Sequence, residues 1–252
     1  MKIAVICANG KAGKLIVKEA VSRGLDVTAV VRGDNETAAQ KVLKKDLFDL
    51  TADDLKGFDA VIDAFGAWTE DTLLLHSTSL KHLCDILSGA DTRLLVVGGA
   101  GSLYVNPEHT ACVADGPDFP DGFKPLAGAM AKALSELRQR RDVRWTYISP
   151  AGDFQAEGER TGKYILGGEE LTLNSRGESI ISYADYAIAM VGGCKRKQHP
   201  ETYQRGKRII GKEIGADRLT VLRRGSRKER SIHGETCYTG AAGGFPDPLA
   251  AE

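Results

Sequence analysis

The sequence predicts an α/β fold with a doubly wound, mostly parallel sheet, and three observations carry that prediction. Apolar runs of about four to six residues recur through roughly the first 150 positions, with helical patterns between them. Most of these runs are continuous rather than alternating, as in strands covered on both faces. The first run leads into a glycine-bearing turn that opens directly onto a helix. Right-handed crossovers then put helices on both sides of the sheet and ligand at the carboxyl ends of its strands.

In chain order, residues 3–6 read as a strand, 14–23 as a helix ending at Gly24, and 27–31 as a second strand. Residues 41–43 form a weak third strand, followed by a short helix around 52–56. A fourth strand is expected over 59–64, a longer helix over 72–87, and a fifth strand over 94–97. A loop rich in Gly and Pro then runs from Gly98 to about Pro125. Residues 126–140 have helical spacing, and 144–149 make a sixth strand. From Gly162 the pattern changes to short extended pieces at 164–166, 171–174 and 179–181, divided by the turns Gly167-Gly168 and Arg176-Gly177. Ser182 and Asp185 then have the spacing of a capping box, opening a helix over 183–191. This part is expected to be a small C-terminal lobe closing over the nucleotide end of the sheet.

With 252 residues, 42% hydrophobic and 27% charged, the chain suits one sizeable domain, or one domain with an appendage. The formal net charge of zero gives no whole-chain argument for a nucleic acid or an anionic membrane as partner, so neither is expected. No apolar run approaches the ~18 residues a spanning helix needs. The apolar run at 3–6 is too short for a signal peptide, and five scattered cysteines form no CxxC pair. A reduced, cytoplasmic setting is expected, with no metal site and a monomer or homodimer.

The first turn reads Cys7-Ala8-Asn9-Gly10-Lys11-Ala12-Gly13. Gly10 lets the backbone approach a pyrophosphate, Gly13 lets the helix pack against the sheet, and the helix N-terminus supplies N–H groups and a positive dipole end. Cys7 stands where the spacing G-x-x-G-x-x-G would have its first glycine. Asn9, Lys11 and Ala12 complete the expected cofactor turn. Arg32, just past the second strand, favours a 2′-phosphate, where an NAD-specific site would place an acid. NADP(H) is therefore expected over NAD(H), with Asp46 bordering the adenine. The strand ends Ala64-Phe65-Gly66 and Gly98-Gly99-Ala100 are expected near the nicotinamide, since missing side chains permit close approach. Trp68, Tyr104 and Phe154 could offer a flat face to a planar acceptor, and Ser149, Pro150 and Ala151 border the substrate side.

The chain resembles the atypical short-chain dehydrogenase/reductases, the NmrA-like NAD(P)-binding group, and within it bacterial NADH-flavin-reductase-like proteins. The likeness runs through the glycine turn, Val30-Val31-Arg32, residues 94–103 (LLVVGGAGSL), Pro117-Asp118-Phe119-Pro120, 145–151 (WTYISPA) and 158–164 (GERTGKY). It covers roughly residues 1–191, with a more distant likeness to biliverdin and flavin reductases. The resemblance implies a Rossmann-type fold, NAD(P)H binding and reduction of flavins, quinones or similar planar small molecules. A binding protein that senses NADP(H) redox state without turnover is the alternative. Ordinary short-chain dehydrogenases use a Tyr-x-x-x-Lys pair to move a proton. Lys132 matches the lysine and is the one catalytic candidate, expected either to touch a ribose hydroxyl or to be a solvated helix lysine, but Gly128 stands where the tyrosine would be.

Residues 192–252 form a separate expectation. Beyond Gly192 there are 13 Lys and Arg against 7 Asp and Glu, with little periodicity. A basic, poorly ordered tail is expected. With suitable codons, deleting one G near Gly192 turns the following stretch into a charged linker and β-rich ending like that of relatives. Translation out of frame after about Val191 is therefore the expectation for this tail.

Overall fold

The protein is described from a computed structural model covering residues 1–195 and 207–211. The elements are β1 (Lys2–Ile6), α1 (Lys11–Ser22), β2 (Asp26–Val31), β3 (Lys41–Lys44), α2 (Ala52–Leu55), β4 (Ala60–Asp63), α3 (Leu75–Ile86) and β5 (Arg93–Val97). They continue as α4 (Lys124–Leu137), β6 (Arg144–Pro150), β7 (Asp153–Gln155), β8 (Ile165–Gly167), β9 (Ile180–Ser182), α5 (Tyr183–Lys195) and β10 (Lys207–Gly211).

One sheet runs in the order β3-β2-β1-β4-β5-β6-β10-β8, and β7 pairs with β9 in a second. Its first six strands are all parallel, so the chain reverses its direction of travel across the sheet between β3 and β4. The carboxyl ends of β1 and β4 flank that reversal, where a doubly wound sheet leaves a crevice. Ile3 and Val5 belong to the core layer shared with α1 and α5, while Ala4 and Ile6 belong to the layer under α3 and α4. Successive strand side chains point to opposite faces, so a continuous apolar run feeds both layers. Burying each large apolar side chain contributes about 1.5–3 kcal/mol.

The differences from expectation are local. Helix α1 begins at Lys11, three residues early, because extended Gly10 serves as N-cap and its carbonyl accepts from Lys14 N at 2.8 Å. A separate 3₁₀ turn at Glu70–Thr72 takes the start of the helix expected over 72–87. Residues 171–174 form no strand; Leu171 N instead donates to the Tyr104 carbonyl. The capping box is half realised. Ser182 Oγ accepts from Asp185 N at 3.0 Å, but the Asp185 carboxylate turns away to accept from Thr161 N and Gly162 N at 2.9 and 2.8 Å.

The domain boundary drawn at 191 falls inside α5. Gly193 packs against Leu95 and Ile148, and the Arg93 guanidinium donates to the Gly193 carbonyl at 2.9 Å. A cation on the last carbonyls suits a helix C-terminus and extends α5 through Lys195. Residues 207–211 of the expected tail form β10, parallel to β6 and antiparallel to β8. The rest of that tail, 196–206 and 212–252, lies outside the described residues. Among the described residues no helix is long and apolar enough to cross a membrane.

Candidate functional site

The site is built from the turns that leave β1, β2, β4 and β5. After β1 the chain doubles back tightly, with Gly10 N donating to the Cys7 carbonyl at 3.0 Å. Cys7 has φ 56, a left-handed conformation that glycine adopts without penalty and other residues rarely take. The irregular member of the glycine motif therefore occupies the position where glycine would relieve strain. Gly13 is required by space: a Cβ there would lie 2.6 Å from the Cys7 carbonyl oxygen and 2.8 Å from that of Ala8. No side chain caps α1, and its first turn carries no acid. Its N-terminus, flanked by exposed Gly10 and Lys11, is suited to an anion.

Asn9 has a different place from the one expected. Its side-chain amide donates to the Asp34 carbonyl at 2.7 Å and its oxygen accepts from Glu36 N at 3.0 Å. The first turn is thereby tied to the loop after β2, two residues beyond Arg32. Arg32 itself is exposed, its side chain 84% accessible, and 3.9 Å from Asp46. Asp46 is committed mainly to capping the next turn, accepting from Phe48 N at 2.9 Å.

The turns after β4 and β5 are more crowded than their small residues suggested. A Cβ on Gly98 would meet the Tyr147 ring at 2.3 Å, and one on Gly99 would meet Met130 Sδ at 3.0 Å. Gly98 thus makes room for the chain's own tyrosine, a correction to its reading as a cleared path for ligand. Ala64, Phe65, Gly99 and Ala100 are half-buried and Gly66 is exposed. Trp68 is half exposed, with its indole near Gly66.

Other expected substrate residues serve packing. Ser149 and Ala151 are fully buried and Pro150 is buried with them, because β6 is covered on both faces. Phe154 stacks on Tyr183 with ring centroids 3.9 Å apart. Tyr104 stacks on His109 at 4.2 Å, and its hydroxyl accepts from Arg138. Lys132 is exposed on α4 and outside the cleft that its helix neighbours Met130 and Ala133 line.

That cleft was not anticipated. It is lined by Asp63, Phe65, His76, Ser79, Leu80, Val96, Val97, Met130, Ala133 and Tyr147. Its accessible space, about 20 Å³, has room for a water-sized molecule. Asp63 ends β4 at 4% exposure, and among the described residues its carboxylate accepts only from Phe65 N, at 3.0 Å. Burial pushes its carboxyl up to about 6, the Phe65 bond opposing only in part. His76 holds the Ala67 carbonyl through Nε2 at 3.0 Å, meets the Phe65 ring edge-on, and is lowered by burial. Burial likewise raises Tyr147 to about 12, with Gly99 N donating to its hydroxyl at 3.3 Å. An acid closing the apolar run Ala60-Val61-Ile62 was the available sequence signal. The residues that bury it arrive from α3, α4 and β6, too distant in sequence to be paired by pattern.

Comparison with known proteins follows this geometry. The profile of a family described as NAD(P)H-binding matches residues 7–193, from the first turn to the end of α5. The uncharacterized protein YwnB of Bacillus subtilis is 46% identical over 202 residues, 79% of this chain and 94% of its own length. A Streptococcus pneumoniae crystal structure, provisionally named an NADH-flavin reductase, is 53% identical with a TM-score of 0.80. That match covers 84% of this chain and 99% of the other. A Bacteroides thetaiotaomicron structure provisionally named an epimerase is 32% identical, covering 86% and 99% of the two chains with a TM-score of 0.72. On the extent of the family match and the identity of these relatives, the chain belongs to the NAD(P)H-binding family.

Proposed function

We propose that this protein is an NAD(P)H-dependent oxidoreductase that reduces a flavin, quinone or similar planar acceptor, with NADP(H) as its preferred cofactor. The observation that carries the reading is the N-terminus of α1, capped by no side chain, behind Gly10 and Gly13, with exposed Arg32 just past the adjoining strand. N–H groups and a helix dipole suit the diphosphate there, and a guanidinium suits the 2′-phosphate. In this reading Gly10, Lys11, Ala12 and Gly13 surround the diphosphate. Asn9 acts indirectly, fixing the loop beside Arg32 to the turn.

When bound, the dinucleotide supplies a hydride, so the chain's main task is to position the acceptor. Phe65, Gly66, Gly99 and Ala100 stand at the strand ends suited to the nicotinamide half, with Trp68 exposed beside them. Absence of a tyrosine at Gly128 argues against alcohol–carbonyl chemistry by the usual pair, and the provisional name of the pneumococcal relative favours flavin. Steady-state NADPH oxidation with FMN, FAD and quinones tests this. Saturable turnover with one acceptor class is expected; tight NADPH binding without turnover on any acceptor would favour a redox sensor instead.

A further inference from the structure

Hydride transfer to a quinone or flavin leaves a proton to be delivered, and the usual tyrosine is missing. We infer that Asp63 delivers that proton, as the acid of a small buried relay that opens at the β4 strand end. The inference rests on the reductase reading above.

Three features single out Asp63. It lies at the carboxyl end of β4, paired in register with Ile6 and so beside the cofactor turn. Among the described residues only Phe65 N donates to its carboxylate, and it lines a cleft with room for a water-sized molecule, so a proton can pass to it or from it. Its surroundings disfavour the anion. The titratable groups within reach of its charge are the Cys7 thiol from the first turn, Cys84 from α3 and the Tyr147 hydroxyl from β6, and His76 from α3 lines the same cleft. The Asp63 charge presses the thiols and the tyrosine further towards their neutral forms. Among the described residues no lysine or arginine is ion-paired with it. A diphosphate at the nearby turn adds like charge and favours the protonated acid further.

The step balances simply. The acceptor gains one hydride, that is one proton carrying two electrons, as the dinucleotide is oxidised by two electrons. An acceptor oxygen or nitrogen then gains the second proton as the Asp63 O–H bond breaks, and the carboxylate recovers its proton from solvent. An acid whose pKa lies near the working pH suits this task, and such donors typically contribute about 10²–10⁴-fold.

The test uses the full chain, wild type and Asp63→Asn. In the ligand-free protein, carbon NMR of labelled aspartate should show one carboxyl titrating near 6 that is lost in D63N. If every aspartate titrates in the ordinary carboxylate range, the proposal fails. NADPH-dependent rates are then compared for a quinone, which needs a proton, and a tetrazolium cation, which a hydride alone neutralises. D63N should lower the quinone-to-tetrazolium rate ratio by about 100-fold. An unchanged ratio, or weaker NADPH binding that slows both acceptors equally, overturns the donor role and leaves the reductase reading standing. Absence of turnover by the wild type on every acceptor overturns the reductase reading and the donor role with it. Should D63N not fold, the wild-type ratio decides: it should fall about tenfold per pH unit above the titration, and a flat ratio refutes the proposal.

Discussion

The burial of Asp63 has a consequence for stability that can be read without any cofactor. Its carboxyl titrates at about 6 in the fold against an ordinary 3.8, so the native state binds its proton more tightly than the unfolded chain. Below about pH 3 both states are protonated, and the group costs nothing. As pH rises through the window to about 6, the unfolded chain ionises first, and stability falls. At 1.36 kcal/mol per pH unit the gap corresponds to about 3 kcal/mol, lost in full by pH 7. Asparagine keeps the shape and the acceptor for Phe65 N without the charge. Urea unfolding of ligand-free wild type and D63N across roughly pH 3–7 measures the difference directly. Other carboxylates, such as Glu19 held low by Arg160 and Arg23, act oppositely in an overlapping acid window but are common to both proteins. D63N should gain on the wild type by about 3 kcal/mol between the two ends, or about 6–12 °C in Tm for a domain of this size. A difference that stays flat, or that moves in the wild type's favour as pH rises, would refute the burial argument.

Gly13→Ala places a methyl group 2.6 Å from the Cys7 carbonyl oxygen, so about 1–3 kcal/mol of stability should be lost, read by thermal unfolding. NADPH affinity should fall with it. Gly98→Ala drives into the Tyr147 ring and should cost a similar amount, visible as a changed near-ultraviolet circular dichroism signal. Asp185→Ala removes the acceptor for Thr161 N, Thr161 Oγ1 and Gly162 N beneath α5, so roughly 2–4 kcal/mol should be lost in denaturant unfolding. Retained stability would mean that the 161–162 turn finds other partners.

How far the sequence could be read depended on how local each cause was. The first six strands, the doubly wound topology and the glycine turn follow from apolar runs and from two glycines at fixed offsets, and the structure has them in place; β7 and β10 were not expected, and the strand expected at 171–174 does not form. Gly13 was readable because its constraint comes from Cys7 and Ala8, six and five residues away. Gly98 was half readable: its smallness was evident, but Tyr147, which needs the space, lies on the neighbouring strand. Asp185 had the spacing of a capping box, yet its carboxylate serves Thr161, which no helix pattern connects to it. Asp63 was passed over entirely. A carboxylate at a strand end is ordinary until α3, α4 and β6 close over it, and those packings are tertiary. Strand-end position alone likewise did not reveal that Ser149 on β6 and Ala151 just beyond it are fully covered.

The seat proposed for the cofactor is tested most directly by titrating NADPH and NADH against the wild type and Arg32→Glu. A guanidinium–phosphate contact contributes about 1.5–3 kcal/mol, and the new carboxylate adds repulsion, so NADPH affinity should fall at least about tenfold. NADH affinity should stay within about threefold. Wild-type protein that binds NADH as tightly as NADPH, or a variant that weakens both equally, would contradict the assignment of Arg32 to the 2′-phosphate.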